Sequence, residues 1–269
     1  MLDFTQFTAV LFDMDGTIYR GSTALPGARE LLAFCAERGI ACACVTNNST
    51  MTPAQYETKL AGMGIPVPAG QIVTSSVAVR RYLEQEAPRG TPIFAVGMDG
   101  LRQELFGDGY YVLEEHSPRY VVVGGDFDVT YAKLRTACLA IRAGARFIGT
   151  NPDTTYPTEQ GLVPGAGSLL ALLRAATDVE PFIIGKPAPT MLLAAAALLG
   201  TEPARTLVVG DRLDTDIAGA RAALMSSVLV MTGVETAEGI ASNAVRADLV
   251  LPGLPELLEL WRGKDERLG

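Results

Sequence analysis

The pattern of apolar and polar positions predicts short buried strands that alternate with helices. The segment "AVLF" (9–12) is a continuous apolar run bounded by turn residues, which is typical of a strand buried on both faces. The segment "IACACVTNNST" (40–50) predicts a second apolar strand that ends in a polar turn. Between them, residues 27–38 carry apolar side chains at helical spacing, and Gly39 follows as a stop signal. A strand, a helix and a second strand with short links form a βαβ unit, which predicts a parallel sheet.

The second half of the chain continues this alternation. The predicted strands span 181–184, 206–209, 226–233 and 247–254, and helices are predicted from about 189, after 216 and over 255–263. Short links between alternating strands and helices are typical of a doubly wound parallel sheet. We therefore predict one α/β domain composed of residues 1–87 and 182–269.

Residues 88–181 interrupt this domain with an alternation of their own. The segments "TPIFAVGMDGLRQEL" and "RYVVVGGDFDVTYAKLRTACLAIRAG" each predict a strand, a Gly-Asp turn and a helix. We expect this insertion to be a second α/β module. Its glycines in "VVVGGD" and "GAGSLL" lack the full G-x-G-x-x-G spacing with an acid downstream, which disfavours a dinucleotide site.

Polar residues follow several predicted strands. Asp13 and Asp15 flank Met14 at the end of the first strand and therefore share one face of it. An ordinary Asp-Gly turn would explain this pair alone. Other polar residues at predicted strand ends are Thr46, Asn47, Lys186, Asp211 and Asp216. Because ligands bind at the carboxyl ends of parallel strands, we expect these side chains to meet at one edge of the sheet.

Such a cluster of acids needs a positive partner. Neighbouring carboxylates repel and raise each other's pKa unless a positive group lies between them. A divalent, oxygen-preferring cation such as Mg²⁺ meets this need, and it usually keeps waters and binds a substrate phosphate as well. Thr46, the Asn47 amide and Lys186 would add hydrogen bonds and positive charge for a phosphoryl group. The residues alone thus indicate a metal-assisted phosphate site.

Composition narrows the classes of function. The 269 residues carry a net charge of −8, and no dense basic cluster suggests a nucleic-acid partner. No apolar run is long enough to cross a membrane, and the first residues lack the basic start of a signal peptide. The four cysteines lack a second Cys/His pair for zinc and are expected to be reduced core thiols of a cytoplasmic protein. The single histidine, His116, lies in a polar connector and is expected at the surface.

Four motifs give the chain a family resemblance. In order, "FDMDGT", "VTNNST", "GKPAP" and "GDRLDTDI" resemble the four motifs of haloacid dehalogenase-like (HAD) phosphatases, over nearly the whole chain. The segments "TNNS", "TNPD" and "GDRLDTDI" resemble the branch of NagD and the p-nitrophenyl phosphatases. The resemblance implies a Rossmann-like core of residues 1–87 and 182–269. It also implies a type IIA arrangement, in which residues 88–181 form a C2-type α/β cap.

The resemblance also implies roles for the strand-end residues. Asp13 would be the nucleophile that forms an aspartyl-phosphate, and Asp15 the general acid and base. Thr46, Asn47 and Lys186 would bind the phosphate. Mg²⁺ would bind Asp13, the main-chain carbonyl of Asp15 and Asp211. Asp216 would support the water shell of the metal or Lys186.

The place of the insertion separates this branch from its relatives. Only 28 residues lie between Thr17 and Thr46, whereas 135 lie between Thr50 and Lys186. The cap is therefore expected between the second and third motifs. The dehalogenases and phosphomutases of the same superfamily usually carry a helical cap after the first motif, so this layout disfavours both of those classes. In the cap segment 149–161, Asn151 and Asp153 are candidate substrate contacts, although an Asx turn explains them equally well.

These observations favour a Mg²⁺-dependent phosphatase of small-molecule phosphate monoesters. Two alternatives stay open: a phosphotransferase or phosphomutase that uses the same aspartyl-phosphate, and a non-catalytic regulator with this fold. The expected partner is a small phosphate ester, with no nucleic acid and no membrane. Apolar strands of the cap leave room for a homodimer through that module.

Overall fold

The computed structural model describes residues 2–158 and 160–265, and the side chains of the last helix to residue 263. The strands are β1 (Ala9–Asp13), β2 (Tyr19–Arg20), β3 (Thr23–Ala24), β4 (Ala41–Thr46), β5 (Ile72–Thr74), β6 (Pro92–Val96), β7 (Val112–Leu113), β8 (Tyr120–Val123), β9 (Arg146–Gly149), β10 (Thr155–Thr158), β11 (Gly161–Pro164), β12 (Phe182–Ile183), β13 (Thr206–Gly210), β14 (Ser226–Val230) and β15 (Leu249–Leu251). The helices are α1 (Ala28–Glu37), α2 (Pro53–Gly62), α3 (Ser75–Glu86), α4 (Asp99–Phe106), α5 (Tyr131–Arg142), α6 (Ala166–Thr177), α7 (Thr190–Leu198), α8 (Ala218–Ala222), α9 (Ala237–Ser242) and α10 (Leu254–Asp265).

The chain divides into two compact units. The first unit contains the described residues within 1–46, 54–73 and 186–269, and the second contains those within 47–53 and 74–185. The predicted insertion, 88–181, is shorter than the second unit chiefly because α3 also belongs to that unit, where it packs against α4. The assignment of the two units as catalytic core and cap stays a prediction.

The first unit is built around a six-stranded sheet in the order β15-β14-β13-β1-β4-β5. The central strand β1 pairs in parallel with β13 on one side and with β4 on the other. Its residues Val10 and Leu11 are fully buried, as the continuous apolar run predicted. The chain order reverses beside β1, so the carboxyl ends of β1 and β13 border the crevice where parallel sheets bind ligands. The predicted α/β class with a parallel, Rossmann-like sheet is confirmed.

The second unit contains a five-stranded parallel sheet in the order β12-β9-β8-β6-β7. Its core contains Phe94, Val121, Phe147 and Leu170 from the strands and α6. The strand predicted at 181–184 exists as β12, but its predicted place in the first domain was wrong. β12 pairs with β9 in the sheet of the second unit. An apolar run indicates a buried strand and carries no information about which sheet it joins.

Several smaller expectations can be compared with the structure. Strands β14 and β15 each end three residues earlier than predicted, ahead of the turn segments "TG" (232–233) and "PG" (252–253), and β15 also begins two residues later. All four cysteines are free thiols, as expected, and Cys35 and Cys44 are buried. His116 is exposed, also as expected. Among the described residues, no helix combines the length and apolar character that crossing a bilayer requires.

Candidate active site

The first predicted acid pair lies where β1 ends. Asp13 is the last residue of β1 and is half-buried, and Asp15, two residues later, is exposed. Gly16 then has φ +90°, and its amide donates to the Tyr19 carbonyl at 2.7 Å. A Cβ atom at Gly16 would lie 2.6 Å from Oδ2 of Asp211. The Asp-Gly turn therefore exists, and it also brings the first strand end against the acid of another strand.

Lys186 joins two of the predicted acids. Its Nζ lies 2.5 Å from Oδ1 of Asp13 and 2.6 Å from Oδ1 of Asp216. The lysine side chain is only 2% exposed, so its ammonium is shielded from bulk water. Burial lowers the pKa of Lys186, but the charges of Asp13 and Asp216 outweigh burial and raise it above its usual value. The ammonium therefore stays charged.

Asp216 is held through both carboxylate oxygens. Oδ1 accepts from Lys186, and Oδ2 accepts from the backbone amides of Asp211 (3.2 Å) and Arg212 (3.1 Å). A short π-helical turn, Leu213–Ile217, brings this carboxylate back toward the end of β13. A Cβ atom at Gly210 would lie 2.4 Å from the Cβ of Asp216, so the turn requires glycine there. Asp216 thus fixes both the lysine and the backbone that carries Asp211.

Asp211 offers an open oxygen to this cluster. Its Oδ2 accepts from the Val234 amide at 3.2 Å, whereas Oδ1 is buried with no hydrogen-bond partner among the described residues. Burial, with the charge of Asp216, raises the pKa of Asp211 to about 7, and the Val234 amide opposes this rise. A buried acceptor without a partner is costly, which makes this atom a natural place for a cation.

The acidic cluster fits a hard divalent cation. One carboxylate oxygen from each of Asp13, Asp211 and Asp216 lies within 4.8 Å of the others. Burial raises the pKa of Asp13 well above its usual value, the Lys186 ammonium opposes this, and the charges of Asp216 and Asp211 add to it. Carboxylate oxygens at this spacing are the donor set that Mg²⁺ and Ca²⁺ prefer.

The second predicted motif continues from β4 into the second unit. Thr46 ends β4 and is buried. Within the second unit, the Asn47 amide donates to Oδ2 of Asp153 at 2.9 Å, which fixes the orientation of that amide. The Asn47 carbonyl accepts from the Asn151 amide at 2.7 Å and from the Ser75 hydroxyl at 2.6 Å. The Asn151 side chain thus holds the backbone of Asn47 in place.

The predicted residues therefore form two groups. The first unit brings together Asp13, Lys186, Asp211 and Asp216. The second unit brings together Asn47, Asn151 and Asp153. Lys186 reaches Asp13 although it follows β12, a strand of the other sheet. The catalytic, phosphate-binding and metal-binding roles of these residues stay predictions.

Sequence reasoning missed two features, one at Asp211 in the first group and one near the turn after β1. The Val234 amide bonded to Asp211 follows the Thr232-Gly233 pair after β14, and a glycine after a buried strand was the available signal. Lys59 of α2 places its Nζ 4.2 Å from the centre of the Tyr19 ring. Burial lowers the pKa of Lys59, and the nearby charge of Asp15 opposes this. No motif marked this lysine.

Comparison with known families gives two matches along the chain. A family model described as haloacid dehalogenase-like hydrolase matches residues 10–111. A second model, described as HAD-hydrolase-like, matches residues 183–257. The two matches carry the residues of the acidic cluster and of the second motif.

Individual proteins match over almost the whole chain. An acid sugar phosphatase of Staphylococcus aureus is 38% identical over 240 residues, which are 89% of this chain and 92% of that protein. The structure of a 4-nitrophenylphosphatase from Thermotoga maritima has a TM-score of 0.90 at 34% identity and covers 95% of this chain and 98% of its own. NagD from Escherichia coli K-12 has a TM-score of 0.87 at 30% identity, with coverages of 93% and 98%.

Proposed function

We propose a mechanism from one premise: the chain belongs to the haloacid dehalogenase-like hydrolases, in the branch of NagD and the p-nitrophenyl phosphatases, and is a phosphatase of that type. It hydrolyses small-molecule phosphate monoesters with Mg²⁺, through an aspartyl-phosphate at Asp13. The observation that carries this proposal is the buried Lys186 ammonium between Asp13 and Asp216, beside the open oxygen of Asp211.

The metal site in this proposal uses Asp13, the main-chain carbonyl of Asp15 and Asp211. The buried Oδ1 of Asp211 supports the assignment. Asp216 supports the site from outside, because both its oxygens are already bound by Lys186 and by backbone amides. When bound, Mg²⁺ supplies positive charge that favours the ionised carboxylates and offsets the charge of the substrate phosphate.

In the first step, the Asp13 carboxylate attacks phosphorus and the ester P–O bond breaks. Lys186 orients this carboxylate through Oδ1 and offsets the repulsion between two anions. Asp15 gives its proton to the departing alkoxide, so that an alcohol leaves. Asp15 is exposed on the turn after β1, which leaves its carboxyl group accessible from solvent.

In the second step, water attacks phosphorus and the bond to Asp13 breaks, which releases inorganic phosphate and restores the carboxylate. Asp15 accepts the proton of the water, so the protons balance over the cycle. Covalent capture divides one difficult displacement into two easier ones. Thr46, Lys186 and Asn47, which follows Thr46 directly in the chain, bind the phosphoryl oxygens.

The segment 149–161 is proposed to select among phosphate esters. Asp153 is the better candidate for substrate contact, because its carboxylate is half-buried and already fixes the Asn47 amide. Asn151 is 5% exposed and donates to two oxygens, so its proposed contribution is to hold Asn47 in place. Exchange of residues 153–160 for those of a relative should change relative rates across a panel of esters. Unchanged relative rates would refute this selectivity.

The test of the main proposal is turnover of a panel of phosphate esters by the wild-type chain, with Mg²⁺ and with EDTA. We expect inorganic phosphate without any acceptor alcohol, and at least about a 10³-fold loss of rate in Asp13→Asn. Asp178→Asn is the matched control, because this exposed residue has φ 60°, a conformation that asparagine accepts. A requirement for an acceptor would favour a phosphotransferase. No turnover of any ester would favour a non-catalytic regulator.

The covalent intermediate needs a separate measurement. Acid quench of turnover with a ³²P-labelled ester should leave label on the protein, and hydroxylamine should remove it as expected for an acyl phosphate. Asp13→Asn should carry no label. Undiminished hydrolysis by that variant would exclude the covalent mechanism.

Self-association and location are further parts of the proposal. In the second unit, Tyr131, Leu139 and Leu162 are 82%, 61% and 72% exposed, which supports a homodimer through this unit. Sedimentation should give a dimer mass that Leu162→Lys reduces to a monomer. The four free thiols support a cytoplasmic location, which fractionation of cells would test.

A further inference from the structure

We infer that the loop of residues 232–235 is the device that positions Asp211 for the cation. This inference rests on the proposed function and adds to it a loop to which none of the four motifs assigns a role. The loop follows β14, whereas the motif residues of the first unit follow β1, β4, β12 and β13. It belongs to the first unit, together with every residue that it contacts in this argument.

The loop contacts Asp211 and the two turns that follow β1 and β13. The Thr232 hydroxyl donates to the Gly16 carbonyl at 2.6 Å, one residue after Asp15. The Val234 amide donates to Oδ2 of Asp211 at 3.2 Å. The Leu213 amide donates to Oε1 of Glu235 at 2.9 Å, and Leu213 begins the turn that carries Asp216. Successive residues of one loop thus hold the turns after β1 and β13.

Steric contact adds to these hydrogen bonds. A Cβ atom at Gly233 would lie 1.7 Å from Oδ2, 2.2 Å from Cγ and 2.3 Å from Cβ of Asp211. The backbone at Gly233 therefore packs directly against the Asp211 side chain on its Oδ2 side. Gly16 also lies close to this oxygen, because a Cβ there would be 2.6 Å from it. Two glycine backbones leave the carboxylate little freedom to rotate.

As a consequence, the two carboxylate oxygens of Asp211 have different environments. The Val234 amide occupies Oδ2, so Oδ1 is the oxygen left for a cation. A carboxylate that is held before the cation arrives loses less conformational freedom on binding. Residues that orient a metal ligand commonly change metal affinity about 10–100-fold when they are replaced. Thr232 and Gly233 are therefore positioning residues.

The first test is binding of Mn²⁺ to the metal-free, full-length chain, followed by the EPR signal of free Mn²⁺. Gly233→Ala should weaken binding at least about tenfold, because the added methyl displaces the Asp211 carboxylate or the loop. Gly70→Ala is the matched control, since Gly70 in the first unit has no atom within 4 Å of an added Cβ. Its affinity should stay within about twofold of the wild type.

A second pair of variants covers the case in which Gly233→Ala does not fold. Thr232→Val keeps the shape and removes the hydroxyl that anchors the loop to Gly16, so it should also weaken Mn²⁺ binding. Thr232→Ser keeps the hydroxyl and should bind Mn²⁺ as the wild type does. If Thr232 acted only by packing, Thr232→Val would bind Mn²⁺ better than Thr232→Ser. Thermal unfolding in EDTA should change little for Thr232→Val, which separates positioning from stability.

The outcomes separate this inference from the proposed function. Wild-type chain that binds no Mn²⁺, or binds it equally after Asp211→Asn, would refute the proposed metal site. Wild-type binding that depends on Asp211 but is unchanged in folded Gly233→Ala and in Thr232→Val would refute the role of the loop alone. Weaker binding in Thr232→Val with recovery in Thr232→Ser supports it.

Discussion

At the scale of single residues, Lys186 determines the electrostatics of the acidic cluster. Its Nζ lies within 2.6 Å of two carboxylates and the side chain is almost fully buried, so bulk water screens these ion pairs little. In a low dielectric, a pair of this kind contributes little net stability over apolar residues, yet removal of one partner leaves an uncompensated charge. Removal of the lysine would therefore leave the charges of Asp13 and Asp216 without their shared partner, which lowers stability.

We predict that Lys186→Met lowers the free energy of unfolding by about 3–5 kcal/mol in metal-free protein and abolishes turnover. The reason is that the buried carboxylate of Asp216 and the half-buried carboxylate of Asp13 lose their shared cation. Urea unfolding measures the loss. Arg174→Met is the control, because Arg174 and Glu180 form an ion pair with side chains 58% and 76% exposed, and such pairs contribute about 0–1 kcal/mol. Equal losses in the two variants would contradict this account.

At the scale of elements, the last helix closes the first unit through one large side chain. Trp261 of α10 is 2% exposed, and its ring centre lies 5.0 Å from that of Phe4 and 5.9 Å from that of Phe34 on α1. Ring pairs at these distances add to the energy of apolar burial. A segment at the end of the chain is thus tied to a helix near its beginning.

We predict that Trp261→Ala lowers the free energy of unfolding by about 3–5 kcal/mol, because it leaves a cavity among aromatic rings. Leu260→Ala is the control: the adjacent side chain is 42% exposed and should change stability by about 0.5 kcal/mol or less. Circular dichroism at 222 nm must follow the unfolding, since the chain has only one tryptophan. A loss below about 1 kcal/mol in Trp261→Ala would show that the helix is held by other contacts.

At the scale of the whole molecule, the acidic cluster links stability to pH. The folded-state pKa of Asp211 is raised to about 7, whereas an unfolded aspartate titrates near about 3.9. Between these values the folded chain keeps a proton that the unfolded chain releases. The contribution of Asp211 to stability is therefore fully present below about pH 4 and is lost as pH rises toward 7.

We predict that metal-free wild-type protein loses stability between about pH 4 and pH 7 relative to Asp211→Asn, which removes this carboxyl group. Thermal unfolding in EDTA across this range measures the difference. Saturating Mg²⁺ should reverse the trend, because the cation binds ionised carboxylates and displaces the proton. The same pH profile in wild type and Asp211→Asn would contradict the raised pKa.

The net charge of −8 acts at this scale as well. An acidic surface does not attract an anionic ester, so positive charge must be placed at the reacting atoms. Lys186 is buried among the acids of the cluster, and the proposed cation would bind beside it. Local neutralisation of crowded carboxylates is therefore the condition under which this chain can bind phosphate.

Local patterns were enough to predict most elements of the first unit and the members of its acidic cluster. The predictions for β1 and α1 agree with the observed elements to within one residue, and the segment 40–50, predicted as a strand with a polar turn, contains β4. Buried strands, helices and turns leave recognisable patterns of apolar and turn residues in the sequence. Asp13, Lys186, Asp211 and Asp216 were selected as strand-end residues, and the structure brings them together. Asp13 and Asp211 lie at the ends of parallel strands of one sheet, and these ends share an edge, so the local pattern was enough to predict that the two acids meet. Lys186 follows β12 of the other sheet, so a shared sheet edge does not explain its contact with Asp13.

Other features were decided only by tertiary structure. The sheet that β12 joins depends on its pairing with β9, and the place of α3 in the second unit depends on its packing against α4. The contact of Thr232 with Gly16 joins residues 216 positions apart. The spacing of apolar residues within one segment does not predict such contacts, because they form when distant segments pack together. The sequence by itself therefore determined which side chains could do the chemistry, and the packing of distant backbones decided what holds them in place.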